Sequence, residues 1–226
     1  VATVLLGVLI EKAAYAPIRS APRISLLISS IGVSYLLENL ATVVFTGVPR
    51  QFPKIGTLQD NIVIGGINIQ QLSFVTPVLM LLLVLALMVL VDKTKAGMAM
   101  RAVSKDFETA KLMGVNINRT IATTFAVGSL LAAVGAIMWG QKYPQIQPYV
   151  GVMPGLKCFI AAVIGGIGNI RGAVVGGLVL GMMEIMIVYI VPTLSGYKDA
   201  FAFIALILIL LFLPTGLFGE KITDKV

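Results

Sequence analysis

The 226-residue chain contains no histidine and a single cysteine, Cys158. One thiol cannot form a disulfide within the chain, and the absence of histidine leaves too few ligands for a zinc or iron site. An intramembrane enzyme would also lack the commonest general base. We therefore expect no metal site, no thiol-redox chemistry and no catalytic site, and we expect Cys158 to be a buried apolar residue.

Charged residues are also scarce. They make up 12% of the chain, whereas hydrophobic residues make up 58% and the mean hydropathy is +0.99. A soluble domain is usually about half apolar and about a quarter charged, so this composition indicates a polytopic membrane protein in contact with lipid. The net charge of +7 does not indicate a nucleic-acid partner, because the cations lie in short loops beside apolar segments, as membrane orientation predicts.

Long apolar runs are abundant, and a membrane-spanning helix needs about 20 residues. The predicted spans are residues 24–46, 74–91, 121–139, 151–169, 172–191 and 201–213. Residues 151–169 could instead re-enter the membrane without crossing it. Residues 1–10 are too short to cross and lack the basic leader of a signal peptide, so we interpret them as the tail of an earlier span. Residues 62–73 are too polar for a lipid-facing helix, which predicts a strand, a hairpin or a re-entrant segment.

These runs predict an all-α fold, a polytopic transmembrane helical bundle formed by one domain over residues 1–226. Cytoplasmic loops carry an excess of lysine and arginine. If residues 11–23 are cytoplasmic, the cations on that side are Lys12, Arg19, Arg23, Lys93, Lys95, Arg101, Lys105, Lys111, Arg119, Arg171, Lys221 and Lys225. Those left outside are Arg50, Lys54, Lys142, Lys157 and Lys198. Lys157 fits least well, because only about 20 Å of helix separates it from Arg171, so either its helix is short or its side chain reaches outward.

Residues 92–119 form a charged, helix-compatible segment between two apolar runs. Glu108, Thr109 and Ala110 are followed by Gly114, and this E-T-A-x-x-x-G pattern resembles the E-A-A-x-x-x-G loop of ABC importer permeases. In that family the loop is a short cytoplasmic coupling helix that inserts into a cleft of the ATP-hydrolysing subunit. The alternative interpretation is a solvated loop.

Glycine is concentrated in residues 154–186. The motifs Gly172-x-x-x-Gly176 and Gly177-x-x-x-Gly181 let helix backbones approach closely, which predicts Gly-rich, tightly packed helices. Residues 165–168 contain further glycines that break a helix. A second interpretation is that this break exposes backbone groups beside Asn169 and Arg171 along a substrate path.

Polar residues within the apolar runs are candidates for a translocation pathway, because such residues usually face the bundle interior or a wet cavity. The candidates are Glu38, Asn39, Asn169, Arg171 and Glu184. A hydrogen bond between helices is the structural alternative for Glu38, Asn39 and Glu184. Arg171 would otherwise anchor its helix at the cytoplasmic boundary.

Several stretches together resemble the permease subunits of bacterial and archaeal branched-chain amino-acid ABC importers. They are E108-T-A-x-x-x-G114-V-x-I-N-R119, K157-C-F-I-A-A-V-I-G-G-I-G-N-I-R-G-A-V-V-G-G, the downstream Glu184 and the ending L213-P-T-G-L-F-G-E-K. The chain departs from the family at Thr109, where alanine is usual, and in lacking the N-terminal spans that would precede Val1.

The resemblance implies a multi-pass subunit of the cytoplasmic membrane that imports leucine, isoleucine or valine. Its implied partners are a second related permease, two cytoplasmic ATP-binding subunits and an extracytoplasmic substrate-binding protein. The chain has no G-x-x-x-x-G-K-[ST] phosphate loop, so we expect no cofactor in this chain and expect its partners to use ATP. The alternatives are a sugar or urea permease of a related importer and a secondary carrier, although only Glu38 and Glu184 qualify as the intramembrane carboxylates that a carrier needs.

Overall fold

The computed structural model describes residues 1–19, 21–53, 56, 61–64, 67–213 and 215–219. The predicted cations Lys54, Lys221 and Lys225 lie outside the described residues, as do Pro214 and Glu220 of the C-terminal motif. The described helices are α1 (Ala2–Ile10), α2 (Arg23–Phe45), α3 (Leu72–Lys93), α4 (Lys95–Lys105), α5 (Phe107–Leu112), α6 (Ile117–Lys142), α7 (Val152–Gly165), α8 (Ile170–Ile190) and α9 (Lys198–Phe212). The all-α prediction is confirmed, with a π-helical turn at Glu11–Tyr15 and a 3-10 helix at Pro192–Tyr197. The chain divides into two compact units, Val1–Pro148 and Tyr149–Val226.

Five helical segments are long and apolar enough to cross a membrane. They are Ile24–Phe45, Leu72–Lys93, Ile117–Lys142, Ile170–Ile190 and Ser195–Phe212. The sixth predicted span, residues 151–169, is corrected to the 14-residue helix α7. At 1.5 Å per residue α7 is about 21 Å long, short of the roughly 30 Å of a bilayer core. The helix ends early because Gly166 has a φ of 105°, which an α-helix cannot continue through.

Within the first unit, α1 and the π-helical turn run antiparallel to α6. A Cβ atom added to Gly7 would lie 1.8 Å from Oγ of Ser129, so glycine lets the two helices touch there. Further along, the rings of Tyr15 and Phe125 have their centroids 5.3 Å apart. Both contacts use one face of α6, since Phe125 and Ser129 are four residues apart.

Short strands complete the first unit. Strands β2 (Asn61–Ile64) and β3 (Ile67–Gln70) pair antiparallel, which confirms the hairpin among the alternatives predicted for this region. Strand β1 (Arg50–Gln51) pairs antiparallel with β4 (Gln145–Ile146), which follows α6. Beside that pair the buried side chain of Gln141 donates from Nε2 to the carbonyl of Pro53 at 3.0 Å, so the end of α6 is tied to the segment after α2.

The second unit has the larger buried hydrophobic cluster. Helices α7 and α8 form an antiparallel hairpin on which α9 packs, and the cluster comprises Ile160, Ala161, Ile164, Leu180 and Ala202, with Met183, Leu206 and Ile209 packed against it. Cys158 lies on the exposed side of α7, so the prediction that it is buried was wrong. Leu156 and Phe159 are exposed on α7 as well, so apolar character did not reveal which side of the helix Cys158 takes.

Candidate functional site

The first part of the predicted coupling segment is α4, which continues directly from the spanning helix α3. Thr94 begins α4 as its N-cap, because its hydroxyl accepts a hydrogen bond from the amide of Gly97 at 3.1 Å. A Cβ atom on Gly97 would lie 2.3 Å from the carbonyl oxygens of Leu90 and Val91. Only glycine therefore allows α4 to fold back against the last turn of α3.

The short helix α5 carries the predicted coupling residues, and both of its ends are closed by local hydrogen bonds. Asp106 caps its N-terminus by accepting from the amides of Glu108 at 3.0 Å and Thr109 at 3.1 Å. The Thr109 hydroxyl also donates to the second carboxylate oxygen of Asp106. Thr109 thus strengthens the cap, which gives the departure from the family pattern a local structural use.

The C-terminus of α5 ends in a Schellman motif at Gly114. The amide of Val115 donates to the carbonyl of Ala110, and the amide of Gly114 donates to that of Lys111, each at 3.1 Å. Gly114 has a φ of 81°, in the left-handed region that favours glycine. No atom of the described chain lies within 4 Å of where its Cβ would stand, so backbone conformation explains this glycine and packing within the chain does not.

Helix α5 and the residue after it bury one side chain against the first unit and expose several large apolar ones. Ala110 is 4% exposed, whereas Leu112 and Met113 are 87% and 80% exposed and Phe107 is 44% exposed. Glu108 also faces outward. Large apolar side chains held outward on a capped, six-residue helix are typical of a docking surface. The end of α5 and the turn after it therefore expose apolar side chains that a cleft of another protein could bury.

The candidate pathway residues of the first unit lie on α2. Asn39 is exposed and its Nδ2 donates to the carbonyl of Tyr35 at 2.7 Å, one turn earlier in the same helix. Glu38 is half-buried, and its backbone carbonyl accepts from the hydroxyl of Thr42 at 2.8 Å. The described part of the unit thus leaves Asn39 uncovered and Glu38 partly covered. The assignment of both residues to the pathway stays a prediction.

Asn169 joins three segments of the second unit. Its Oδ1 accepts from the amide of Gly172 at 3.1 Å and caps α8, while its Nδ2 donates to the carbonyl of Phe218 at 3.2 Å. The predicted helix break at residues 165–168 is confirmed, but its backbone groups are occupied: the carbonyls of Ile164 and Gly165 accept from the amides of Leu217 at 2.8 Å and Phe218 at 3.0 Å. The C-terminal loop therefore caps α7.

Glycine makes this joint possible. A Cβ atom on Gly172 would lie 2.3 Å from the carbonyl oxygen of Gly165, and one on Gly176 would lie 2.1 Å from that of Ala161. The first Gly-x-x-x-Gly motif is thus confirmed as a close helix contact. The second is not, since a Cβ on Gly181 would meet nothing within 4 Å among the described residues.

Glu184 belongs to a charge cluster that sequence reasoning did not assemble. Lys157 Nζ of α7 lies 2.8 Å from Oε1 of Glu184 on α8 and 2.7 Å from Oδ1 of Asp199 on α9. All three side chains are mostly buried or half-buried, at 24%, 18% and 35% exposed. The signal that was available is that a cation within an apolar segment needs a charged partner. Lys157 finds two, so it has no need to reach outward.

The candidate pathway residues of this unit do not form one cluster. Arg171 is exposed in the first turn of α8, next to Asn169. Glu184 lies 13 residues further along the helix, which places it about 20 Å away. Among the described residues no group of histidine, cysteine, aspartate and glutamate could hold a metal ion.

Comparison with known proteins identifies the family to which this chain is similar. The model described as "Branched-chain amino acid transport system / permease component" matches residues 1–210. The chain is 39% identical over 222 residues to the high-affinity branched-chain amino acid transport system permease protein LivH of Escherichia coli (strain K12), covering 96% of this chain and 71% of the relative. It is 38% identical to the corresponding protein BraD of Pseudomonas aeruginosa, covering 100% of this chain and 74% of the relative.

A weaker match extends over part of the chain. The xylose transport system permease protein XylH of Escherichia coli (strain K12) is 31% identical over 116 residues, which is 48% of this chain and 30% of that protein. No solved structure matches.

Proposed function

This chain belongs to the family of branched-chain amino acid transport system permease components, and from that premise we propose that it forms part of the membrane path of an ATP-driven importer of leucine, isoleucine or valine. It is a multi-pass protein of the cytoplasmic membrane and a transport subunit. The substrate is proposed from the printed names of the LivH and BraD relatives, which match nearly the whole chain.

The observation that carries the coupling part of the proposal is the form of α5. A helix of six residues is too short to be stable by itself, yet α5 is capped at both ends and holds Leu112 and Met113 outward. Apolar side chains on a rigid, charged loop are best explained by a cleft that receives them. We assign that cleft to one of two cytoplasmic ATP-binding subunits, which supply the ATP hydrolysis.

The remaining partners are a second related permease and an extracytoplasmic substrate-binding protein. In the described part of the chain, the spans α2, α3 and α6 expose much of their apolar surface, which suits contact with lipid and with another permease subunit. Selectivity for the amino acid is best placed in the binding protein, because a polar group buried in a membrane path must be paired to be tolerated.

The coupling assignment is tested by changing the outward side chains of α5 and its turn. We expect Leu112→Ser combined with Met113→Ser to lower co-purification of the ATP-binding subunit at least about tenfold, the effect of losing roughly 1.4 kcal/mol or more of apolar burial. Glu108→Ala and Gly114→Trp should abolish coupled uptake without preventing membrane insertion. The matched control is Ile167→Ser, which changes an exposed apolar residue in a turn of the second unit. Normal uptake in all coupling variants would refute the assignment.

The substrate is tested with the whole importer in vesicles, with ATP on the side of the ATP-binding subunits. Uptake of leucine, xylose, ribose and urea is compared, each with its matching binding protein. A sugar permease is the second candidate, supported by the partial similarity to XylH. Uptake of a sugar or of urea without leucine would refute the amino-acid proposal and leave the permease family unaffected.

A further inference from the structure

The first unit contains a buried acidic residue, Glu11, that lies outside the coupling helix α5. Glu11 is 2% exposed, at the start of the π-helical turn that follows α1. A carboxylate removed from water needs a charged partner, and an acid within a membrane protein usually has a functional or structural task. Glu11 has such a partner in Arg19, whose side chain is 19% exposed.

Arg19 connects this acid to the coupling segment. One η nitrogen of its guanidinium pairs with Oε1 of Glu11, and the other donates to Oδ1 of Asn118. Asn118 is the second residue of α6, and α6 begins directly after the Gly114 turn and the Asn116 cap. The planar guanidinium therefore joins the end of α1 to the place where the coupling segment enters its spanning helix.

The same face of α6 carries the remaining contacts with α1. Asn118, Phe125 and Ser129 are spaced by seven and four residues, so they lie on one side of the helix. Asn118 contacts Arg19, Phe125 contacts Tyr15 and Ser129 contacts Gly7. Residues 7–19 therefore run antiparallel to α6. Four residues beyond Arg19 the spanning helix α2 begins at Arg23. Arg19 is thus placed where a displacement of α5 and α6 would reach both α1 and α2.

We propose that Arg19 is a positioning residue for coupling: held between Asn118 and Glu11, it makes the start of α2 move with the coupling segment and with α1, which already packs on α6. The proposal rests on the proposed function, because it requires that a partner push or pull on α5. Without the Arg19 connection, movement of α5 would be absorbed in the loop before α2. ATP would then be hydrolysed without a matching movement of substrate.

The experiment measures leucine molecules transported per ATP hydrolysed, in the complete importer reconstituted in vesicles. Asn118→Ala removes the acceptor at the coupling segment and leaves the Glu11 ion pair intact. Arg19→Lys keeps the positive charge but cannot contact Asn118 and Glu11 at the same time through a planar guanidinium. We expect each variant to lower the transport ratio about fivefold or more, in line with the loss of a hydrogen bond to a charged group. Hydrolysis and co-purification of the ATP-binding subunit should be unchanged.

Two controls separate positioning from folding. Asn118→Asp keeps an oxygen acceptor for Arg19 and should retain the wild-type ratio. Thr123→Ala removes a hydroxyl that donates only within α6, to the carbonyl of Arg119, and should also leave the ratio unchanged. Melting temperatures of all variants are measured in detergent.

The outcomes are distinct. A lowered ratio with an intact complex supports the proposal. An unchanged ratio in Asn118→Ala overturns it, and so does loss of the ATP-binding subunit, which would make the network a requirement for assembly. If the unaltered importer moves no leucine, the proposed substrate fails, and the ratio is then measured with the substrate that the importer does move.

Discussion

The two units of the chain hold their helices together in different ways. In the second unit the helices touch along their lengths, and Ile160 and Ile164 are each 1% exposed. In the first unit the most apolar stretches of α2, α3 and α6 have no buried residue among the side chains that the structure describes. There the contacts of α3 with α4 and of α6 with the segment after α2 lie at helix ends, at Gly97 and Gln141, whereas the short helix α1 packs against the middle of α6 at Gly7. The second unit therefore buries a hydrophobic cluster between its helices, whereas the spans α2, α3 and α6 of the first unit keep their most apolar stretches uncovered.

Glycine alone does not cause this difference. The first unit has Gly128 and Gly135 in the middle of α6, and a Cβ atom on either would lie within 4 Å of no residue that the structure describes. Gly172 and Gly176 of α8 sit directly against carbonyl oxygens of α7. Without a hydrophobic driving force in lipid, helices associate where small residues of one face a complementary surface of the other. The partner surface therefore decides what a glycine contributes.

The largest effect is expected at a close contact between α7 and α8 in the second unit. Gly176→Ala would place a methyl group 2.1 Å from the carbonyl oxygen of Ala161, so α7 and α8 must separate. We expect a loss of about 3 kcal/mol in the free energy of unfolding, the upper part of the usual range for overpacking. The apparent melting temperature in detergent should fall by about 5–10 °C.

The matched control lies five residues further along the same helix. Gly181→Ala adds the same methyl group where no described residue lies within 4 Å, and alanine is about 0.5–1 kcal/mol better than glycine in a helix. An equal or higher melting temperature is expected. Equal losses from the two substitutions would show that helix contact does not distinguish these glycines.

A smaller effect is expected from the charge cluster of the second unit. Lys157→Met leaves Glu184 and Asp199 close together without their cation. We expect a loss of about 2 kcal/mol, below the 3–5 kcal/mol of a fully buried pair because these side chains are partly exposed. Adding Glu184→Gln and Asp199→Asn should restore most of the loss. Thermal unfolding in detergent is the measurement.

An exposed ion pair in the first unit is the comparison for the partly buried charge cluster of the second. Arg101 Nη1 lies 3.0 Å from Oδ1 of Asp92, with the two side chains 45% and 47% exposed. Such exposed pairs contribute about 0–1 kcal/mol, so Arg101→Gln should change the melting temperature little. A loss as large as that of Lys157→Met would contradict the contrast between the two units.

The smallest effect is expected at Gly114. The added methyl group of Gly114→Ala meets none of the described residues, so its cost comes only from the φ of 81° and is about 1 kcal/mol. Gly216 of the second unit has a similar φ of 78°, but a Cβ atom there would lie 2.6 Å from Cα of Gly166. Gly216→Ala should therefore destabilise the protein more, by about 2 kcal/mol. Gly114→Asn serves as the control, because asparagine tolerates the left-handed region and should be milder than alanine. Equal melting temperatures for the two alanine variants would contradict this prediction.

Much of the fold could be predicted because it depends on local pattern. The length of apolar runs located the spanning helices, and turn residues marked the hairpin of β2 and β3 and the break after α7. Charge and the residues Glu108 to Gly114 marked the predicted coupling segment, and the structure forms the short helix α5 there. The length of α7 was overestimated, because apolar composition continues through Ile167 even though Gly166 and Gly168 have φ values of 105° and 95°.

The candidate site was predicted less completely. The pattern identified Glu184 and Asn169 as unusual polar residues, but not their partners Lys157, Asp199 and Phe218. Nor did it single out Glu11 and Asn118, which are 107 positions apart by the numbering and meet through Arg19. Partners so distant in sequence carry no periodic signal.

The sequence by itself determined that this chain crosses a membrane, which apolar runs contain its spanning helices, and that residues 92–119 are a charged, helix-compatible segment, because apolar length and charge are local properties of the chain. Only the tertiary structure decided which glycines are contacts and which are open, and which charges are paired. Those properties depend on which residue of another helix lies opposite. Packing of the whole unit determines which residue that is.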